Sequence, residues 1–349
     1  MNAGYFGSRS EEIKTFLRSY LEACGEEFSF LNRWGKDLPA RLGAFAQGGK
    51  LIRGGLVFLG HELAGGRPGD TALKIAAAIE LLHSAFLIHD DIMDQDRMRR
   101  GMPSVFWQFR EDAHAKGIEE SEHYGTSMGI CAGDCALFIG LRLISSADIP
   151  DGIRNLVCRE SYAIGLAQMA DIDYGTFSRI PSEKEILDLY LWKTARYSFS
   201  LPLSAGAMAG NADEELVSAL WRLGESMGIM FQMRDDELGV FGSENAIGKP
   251  VGSDIRLAKK TLLIAIALER LDPVPRSQLT RILGRRNATG DEILHARRLI
   301  ETSGARSELI SKIKALAAEA GKMIDALAVP EDPKEQLRSL VDFLRTRDR

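Results

Sequence analysis

Cysteine, proline and aromatic residues are all scarce in this chain. Four cysteines among 349 residues (Cys24, Cys131, Cys135 and Cys158) cannot make a disulfide framework, and reduced thiols suit a cytoplasmic protein. Cys131 and Cys135 stand four apart in an apolar helical stretch with no histidine or cysteine partner nearby, which favours two small buried core residues over a zinc site. The N-terminus has no basic segment leading into an apolar one, and no run reaches the roughly 18 uninterrupted apolar residues of a membrane span. Neither a secretory leader nor a stable membrane anchor is therefore expected. Nor does one sign of charge prevail. The 44 lysines and arginines against 49 aspartates and glutamates leave a formal net charge of -5, which gives no basic footprint for nucleic acid. Cations that hold an anion must be clustered locally.

With 45% hydrophobic residues the chain can bury a sizeable core, and its 11 prolines leave long stretches rich in Ala, Leu, Ile, Glu and Lys. Apolar residues recur there three and four apart, whereas alternating strand patterns are scarce, so an all-α protein is expected. The spacing predicts helices near 10–31, 70–94, 125–146, 151–176, 182–195, 213–237 and 257–271, and again over 291–349. Glycine, proline and serine cluster between them, as at 147–152 and 239–252. No low-complexity linker divides the chain. An apolar helix ending in acidic residues occurs twice, which suggests two half-structures facing one another within a single domain spanning 1–349.

The first acidic cluster is Leu87-Ile88-His89-Asp90-Asp91-Ile92-Met93-Asp94. Asp90 and Asp94, at i and i+4, project from one helix face, so their carboxylates can share a cation. Hard magnesium, which takes oxygen ligands and keeps several waters, fits them better than zinc. A solvated helix end is the bland alternative. The second cluster, Phe231-Gln232-Met233-Arg234-Asp235-Asp236-Glu237-Leu238-Gly239, again sets adjacent aspartates after an apolar helix, with glycine where an i+4 partner of Asp235 would stand. Two such ends facing one cavity could hold several magnesium ions around a diphosphate.

Basic groups accompany them. Gly48-Gly49-Lys50-Leu51-Ile52-Arg53 sets two cations three apart after a glycine pair, and His83 lies seven residues, about two turns, before Asp90 on the same face. Arg97, Arg99 and Arg100 follow the first cluster and precede Gly101 and Pro103, so a turn throws guanidinium forks back toward the carboxylates. Lys193 beside Thr194, Lys249 and Lys259 supply further cations; each alone is more often a solvated surface residue. Two acidic sites with separate cations imply two anionic substrates, one bridged through metal and one held directly. The apolar faces beneath the aspartates suit a hydrocarbon tail.

The ordered motifs between residues 48 and 261 resemble those of the trans-isoprenyl diphosphate synthases, also called polyprenyl synthetases. The resemblance implies an all-α bundle of the isoprenoid synthase type with a central cavity, a homodimer, three magnesium ions, and condensation of isopentenyl diphosphate with an allylic diphosphate. It implies that Asp90, Asp91, Asp94 and Asp235 ligate or orient magnesium, with Asp236 in support, and that Arg99, Lys193, Lys249 and Lys259 bind the allylic diphosphate. Lys50, Arg53, His83 and Arg100 would hold isopentenyl diphosphate. Thr194 and Gln232 would face the developing carbocation beside Lys193, and Gln168 with Asp171 would line the cavity; buried polar groups satisfied by backbone are the alternative for these four.

Three departures stand out: Leu51 where the family's glycine-glycine-lysine run continues with arginine, Gly54 where it has proline, and Gly239 in place of the last aspartate. Ala85 and Phe86, just before the first cluster, occupy the family's chain-length positions. One small residue there implies a twenty-carbon product, geranylgeranyl diphosphate, with farnesyl diphosphate as the alternative. A terpene cyclase would share the fold but needs neither Asp235-Asp236 nor a second diphosphate site. A non-catalytic partner subunit would not retain both acidic clusters.

Overall fold

The structure is a computed structural model that describes residues 4–176, 179–242 and 252–347. It consists of α1 (Tyr5–Glu27), α2 (Trp34–Gln47), α3 (Ile52–Leu63), α4 (Asp70–Asp94), α5 (Val105–Ala115), α6 (Ser121–Ser146), α7 (Asp151–Thr176), α8 (Glu183–Tyr190), α9 (Leu201–Ala209) and α10 (Glu214–Phe241), with further helices at Ser253–Arg256, Leu262–Arg270, Pro273–Ile282, Gly290–Thr302, Ala305–Ala326 and Glu331–Thr346. A short antiparallel ribbon, Met98–Arg99 with Met102–Pro103, is the only strand pairing among the described residues. The expected all-α class is what folds.

Local chemistry sets the helix starts. Ser182 begins α8 in a reciprocal box: its oxygen accepts the Glu185 N–H at 3.3 Å, and the Glu185 carboxylate accepts the Ser182 N–H at 2.8 Å. Asp213 caps α10 by accepting the Leu216 N–H at 2.8 Å. Sequence pattern missed α2, α3, α9 and Pro273–Ile282, whose prolines and glycines mimic loops, and also α5 and the short helix Ser253–Arg256. Pro273 sits at the helix start, where its fixed φ is already helical and no N–H is needed.

Three further differences have physical causes. α1 ends at Glu27 rather than near residue 31, because the Leu31 N–H closes a turn onto the Phe28 carbonyl at 3.1 Å. The helix expected over 182–195 leaves the α register at Tyr190 and continues as a π-helix over Leu191–Ser200, whose last turn is closed by the Leu201 N–H bonding to the carbonyl of Arg196, five residues back. Cys131 and Cys135 are exposed rather than buried in the core. α6 buries its face of small residues instead: Gly129, Ala132, Gly133, Ala136 and Gly140.

The described residues form two compact units, one of residues up to 157 with 205–212, the other of 158–204 with 213 onward. In the first, α4 and α6 are both long and apolar enough to cross a membrane by length and composition. They pack on one another here. Gly133 leaves room for the His89 ring, and a Cβ at Gly140 would stand 3.0 Å from Leu82. The most apolar stretch of α4 is 67% buried, that of α6 only 39%.

In the second unit one stripe of α10 seats the preceding segment. Gly224 touches the backbone of Ser200, and Gly228 touches Ala195 too closely for any Cβ. Gln232 meets Thr194 and Asp236 meets Tyr190. These α10 positions recur every four residues, so one helix face reads the whole length of the π-helix and the end of α8.

Candidate active site

The first unit gathers its carboxylates at the end of α4. The chain leaves that helix through Gln95 in the left-handed region (φ 57), and Asp91 there has no exposed surface. Negative charge at a helix C-terminus opposes the macrodipole, so a cation is required nearby. Arg99 provides it: its Nε donates to Asp91 Oδ1 at 2.7 Å, its Nη2 pairs with the same carboxylate, and it lies 3.6 Å from Asp90 and 3.5 Å from Asp96. Burial nevertheless raises the Asp91 carboxyl to about 6, against the pull of Arg99. Its second oxygen is buried without a hydrogen-bond partner. Asp90 and Asp94 keep part of their surface exposed, so the cluster divides into two outward carboxylates and one inward carboxylate that anchors Arg99.

Beside them lies a cationic group. Gly48 and Gly49 admit the Arg100 side chain, and a Cβ on Gly49 would stand 2.8 Å from its Nη1. Leu51 is buried and left-handed (φ 47), so the position expected to bear arginine offers no cation. Gly54 donates its N–H to buried Glu80 at 2.8 Å, a bond that proline could not make, and a Cβ there would stand 2.5 Å from Ile13 Cδ1. Both observations account for glycine in place of proline. Burial raises Glu80, with Arg53 and Arg100 opposing. Burial, then Arg53, Arg100 and Arg99, hold His83 well below the usual imidazole range, so the ring is neutral at pH 7. Lys50 is exposed at the entry to α3, Ala85 has no exposed surface, and Phe86 is partly exposed one turn before Asp90.

The second unit separates Asp235 from Asp236. Asp236 is buried, accepts hydrogen bonds from the Tyr190 hydroxyl and from Gln232 Nε2 (3.2 Å), and burial pushes its carboxyl well above the ordinary range. Tyr190 also accepts the Leu262 N–H at 2.8 Å. Asp235 remains part-exposed and pairs with Arg347, whose guanidinium lies 3.9 Å from the Phe231 ring centre. Thr194 donates to Gln232 Oε1 at 2.9 Å, and Lys193 pairs with Asp171. Lys259 is exposed, Gln168 partly exposed, and Lys249 lies outside the described residues.

Sequence reasoning missed Asp254. A side chain on Gly239 would collide with the Asp254 carboxylate, so the backbone there leaves room for no last aspartate. An isolated aspartate in a glycine-rich stretch gave no signal of this, and nothing marked Tyr190 or Arg347 either.

Among the described residues no three His, Cys, Asp or Glu side chains form a ready metal cage. That fits magnesium, which uses one or two carboxylates and completes its shell with water and substrate phosphate. The donors available, Asp90 and Asp94 on one face and part-exposed Asp235, are all hard carboxylate oxygens, and one buried oxygen of Asp91 has no hydrogen-bond partner.

The polyprenyl synthetase family model matches residues 41–300. A short chain isoprenyl diphosphate synthase of Methanothermobacter thermautotrophicus is 34% identical over 305 residues, which cover 86% of this chain and 87% of that protein. A (2E,6E)-farnesyl diphosphate synthase of Mycobacterium bovis is 28% identical over 301 residues, covering 85% and 79%. Among solved structures, a geranylgeranyl pyrophosphate synthase of Corynebacterium glutamicum complexed with isoprenyl diphosphate and magnesium has a TM-score of 0.91 and 28% identity, covering 99% of this chain and all of that one.

The Tyr190 hydroxyl serves two buried groups at once, so Tyr190→Phe leaves both short of a partner and is expected to lower stability by about 2 kcal/mol. Urea unfolding measures this; an unchanged midpoint would show that neither Asp236 nor the Leu262 N–H depends on the hydroxyl.

Proposed function

The chain belongs to the polyprenyl synthetase family, and we propose that it is a magnesium-dependent trans-prenyltransferase that joins isopentenyl diphosphate to an allylic diphosphate, yielding geranylgeranyl diphosphate. The observation that carries this reading is the division of labour in the first cluster, where Asp90 and Asp94 face outward while Asp91 secures Arg99.

In the family manner Asp90, Asp94 and Asp235 would hold magnesium, as three ions, and Arg99, Lys193, Lys249 and Lys259 would bind the allylic diphosphate. Bound magnesium supplies neutralisation of the charge that builds on the departing diphosphate. Asp91 and buried Asp236 act differently: the first orients Arg99, and the second ties α10 to Tyr190. Lys50, Arg53 and Arg100 would hold isopentenyl diphosphate, with neutral His83 donating one hydrogen bond and adding no charge. Leu51 removes one cation from that set.

The C1–O bond of the allylic substrate breaks and leaves a carbocation. Thr194 and Gln232 direct oxygen dipoles toward it. The isopentenyl double bond attacks that carbon, and the released diphosphate takes the proton that restores an alkene, so no side-chain base is needed. Ala85 beside Phe86 supports room for a twenty-carbon product, with Phe86 as part of the floor.

Second copies of the chain would cover the exposed apolar faces. α6 shows Ile130, Cys131, Cys135 and Phe138 on one side, and α7 shows Cys158, Tyr162, Leu166, Met169 and Ile172 at helical spacing. A homodimer in the cytoplasm follows as part of this proposal.

Turnover should vanish in excess EDTA, and Asp90→Ala should lose about 3 kcal/mol or more of transition-state stabilisation. Comparable rates with and without the chelator would overturn the mechanism. Product sizing by chromatography should give longer chains from Phe86→Ala and shorter ones from Ala85→Phe. Because Ala85 is fully buried, the second variant's melting temperature is read alongside, and an unchanged distribution in both places the floor elsewhere. Light scattering should return a dimer mass for the wild type and a monomer mass for Phe138→Glu; a monomeric wild type refutes the paired state.

A further inference from the structure

The π-helix that carries Lys193 and Thr194 is an unfavourable conformation, with wide turns and poorly aligned hydrogen bonds, so other contacts must hold it. On one flank lie the pairs already described, Lys193 with Asp171 and Thr194 with Gln232. A second set of contacts centres on Arg196. Its Nε and Nη2 donate to the two oxygens of Glu160 at 3.0 and 2.8 Å, and that carboxylate is only 1% exposed. The same guanidinium lies 4.0 Å from the Trp192 ring centre and 4.9 Å from that of Trp221. Trp221 is in turn fixed at both ends: its carbonyl accepts from Ser200 Oγ and its indole N–H donates to Glu225, each at 2.9 Å.

We propose that Arg196 is a positioning residue that holds the wide turn in register and thereby aims Lys193 and Thr194, with Glu160, Trp192 and Trp221 as its seat. Glu160 and Asp171 stand on α7 eleven residues, about three turns, apart and so on one stripe. Arg196 and Lys193 reach that stripe at opposite ends, which fixes both the height and the rotation of the segment between them. A planar fork that pairs bidentately and stacks on indole does this; a lysine keeps the charge but loses both the fork and the stack. The inference rests on the prenyl-transfer reading for the roles of Lys193 and Thr194, not for the clamp itself.

The test uses the purified full chain with two variants. Arg196→Lys should raise amide exchange about tenfold in peptides covering 191–200 while the first half of α10 keeps its protection. It should also lower kcat by up to about 100-fold, the effect of a small misplacement, with KM for isopentenyl diphosphate unchanged. Glu160→Gln with Arg196→Met removes the buried carboxylate together with its part-buried partner, and Arg159, which also pairs with Glu160, is exposed and stays solvated, so this double variant should fold and melt near the wild-type temperature, yet keep the low kcat. Unchanged exchange in 191–200, or full kcat in the double variant, overturns the proposal. So does a parallel loss of protection throughout the molecule. If the wild type transfers no prenyl group, the functional reading fails by itself and the exchange measurement still decides the clamp.

Discussion

Carboxylates held at the closing turn of a buried helix are the constraint on which the first half-site depends. The end of α4 already carries negative partial charge, so Asp90, Asp91 and Asp94 add like charge where it is least tolerated. The fold answers with Arg99, drawn back by the Met98–Arg99 ribbon and pinned by the one carboxylate that has no exposed surface. With Asp91 engaged inward, Asp90 and Asp94 keep part of their surface exposed, and it is this remaining negative charge that the proposed function uses.

The second half-site follows from close packing. Because Gly224 and Gly228 lack side chains, the backbone of the π-helix lies directly on α10, and Gln232 and Asp236 on the same stripe reach Thr194 and Tyr190. A buried carboxyl at 236 would be destabilising without a donor, and Tyr190 with Gln232 supplies two. The adjacent aspartates thus have opposite surroundings: Asp236 is buried, with its carboxyl pushed well above the ordinary range, while Asp235, paired with Arg347, stays part-exposed.

The departures from the family pattern each have a local cause. Gly54 keeps an N–H for Glu80 and makes room for Ile13. Gly239 makes room for Asp254, whose carboxylate lies where a side chain at 239 would begin. Leu51 differs, since its buried side chain replaces a cation with apolar packing and leaves Lys50, Arg53 and Arg100 to carry the charge.

Helical periodicity, scarcity of proline and the i, i+4 spacing of Asp90 and Asp94 were enough to determine an all-α chain and to set those two aspartates on one helix face, because both properties repeat within a few residues. The helix starts expected at 182 and 213 coincide with the caps Ser182 and Asp213 for the same reason. Sequence could not tell Asp90 from Asp91, or Asp235 from Asp236, because neighbouring residues on a helix differ by about 100° and only the packed neighbours decide which direction is buried. It also missed the π-helix over 191–200, the Arg196–Glu160 clamp, Arg347 on Asp235 and Asp254 behind Gly239. Each joins residues far apart in the chain, and none leaves a local periodic trace, so only the tertiary structure could bring them together.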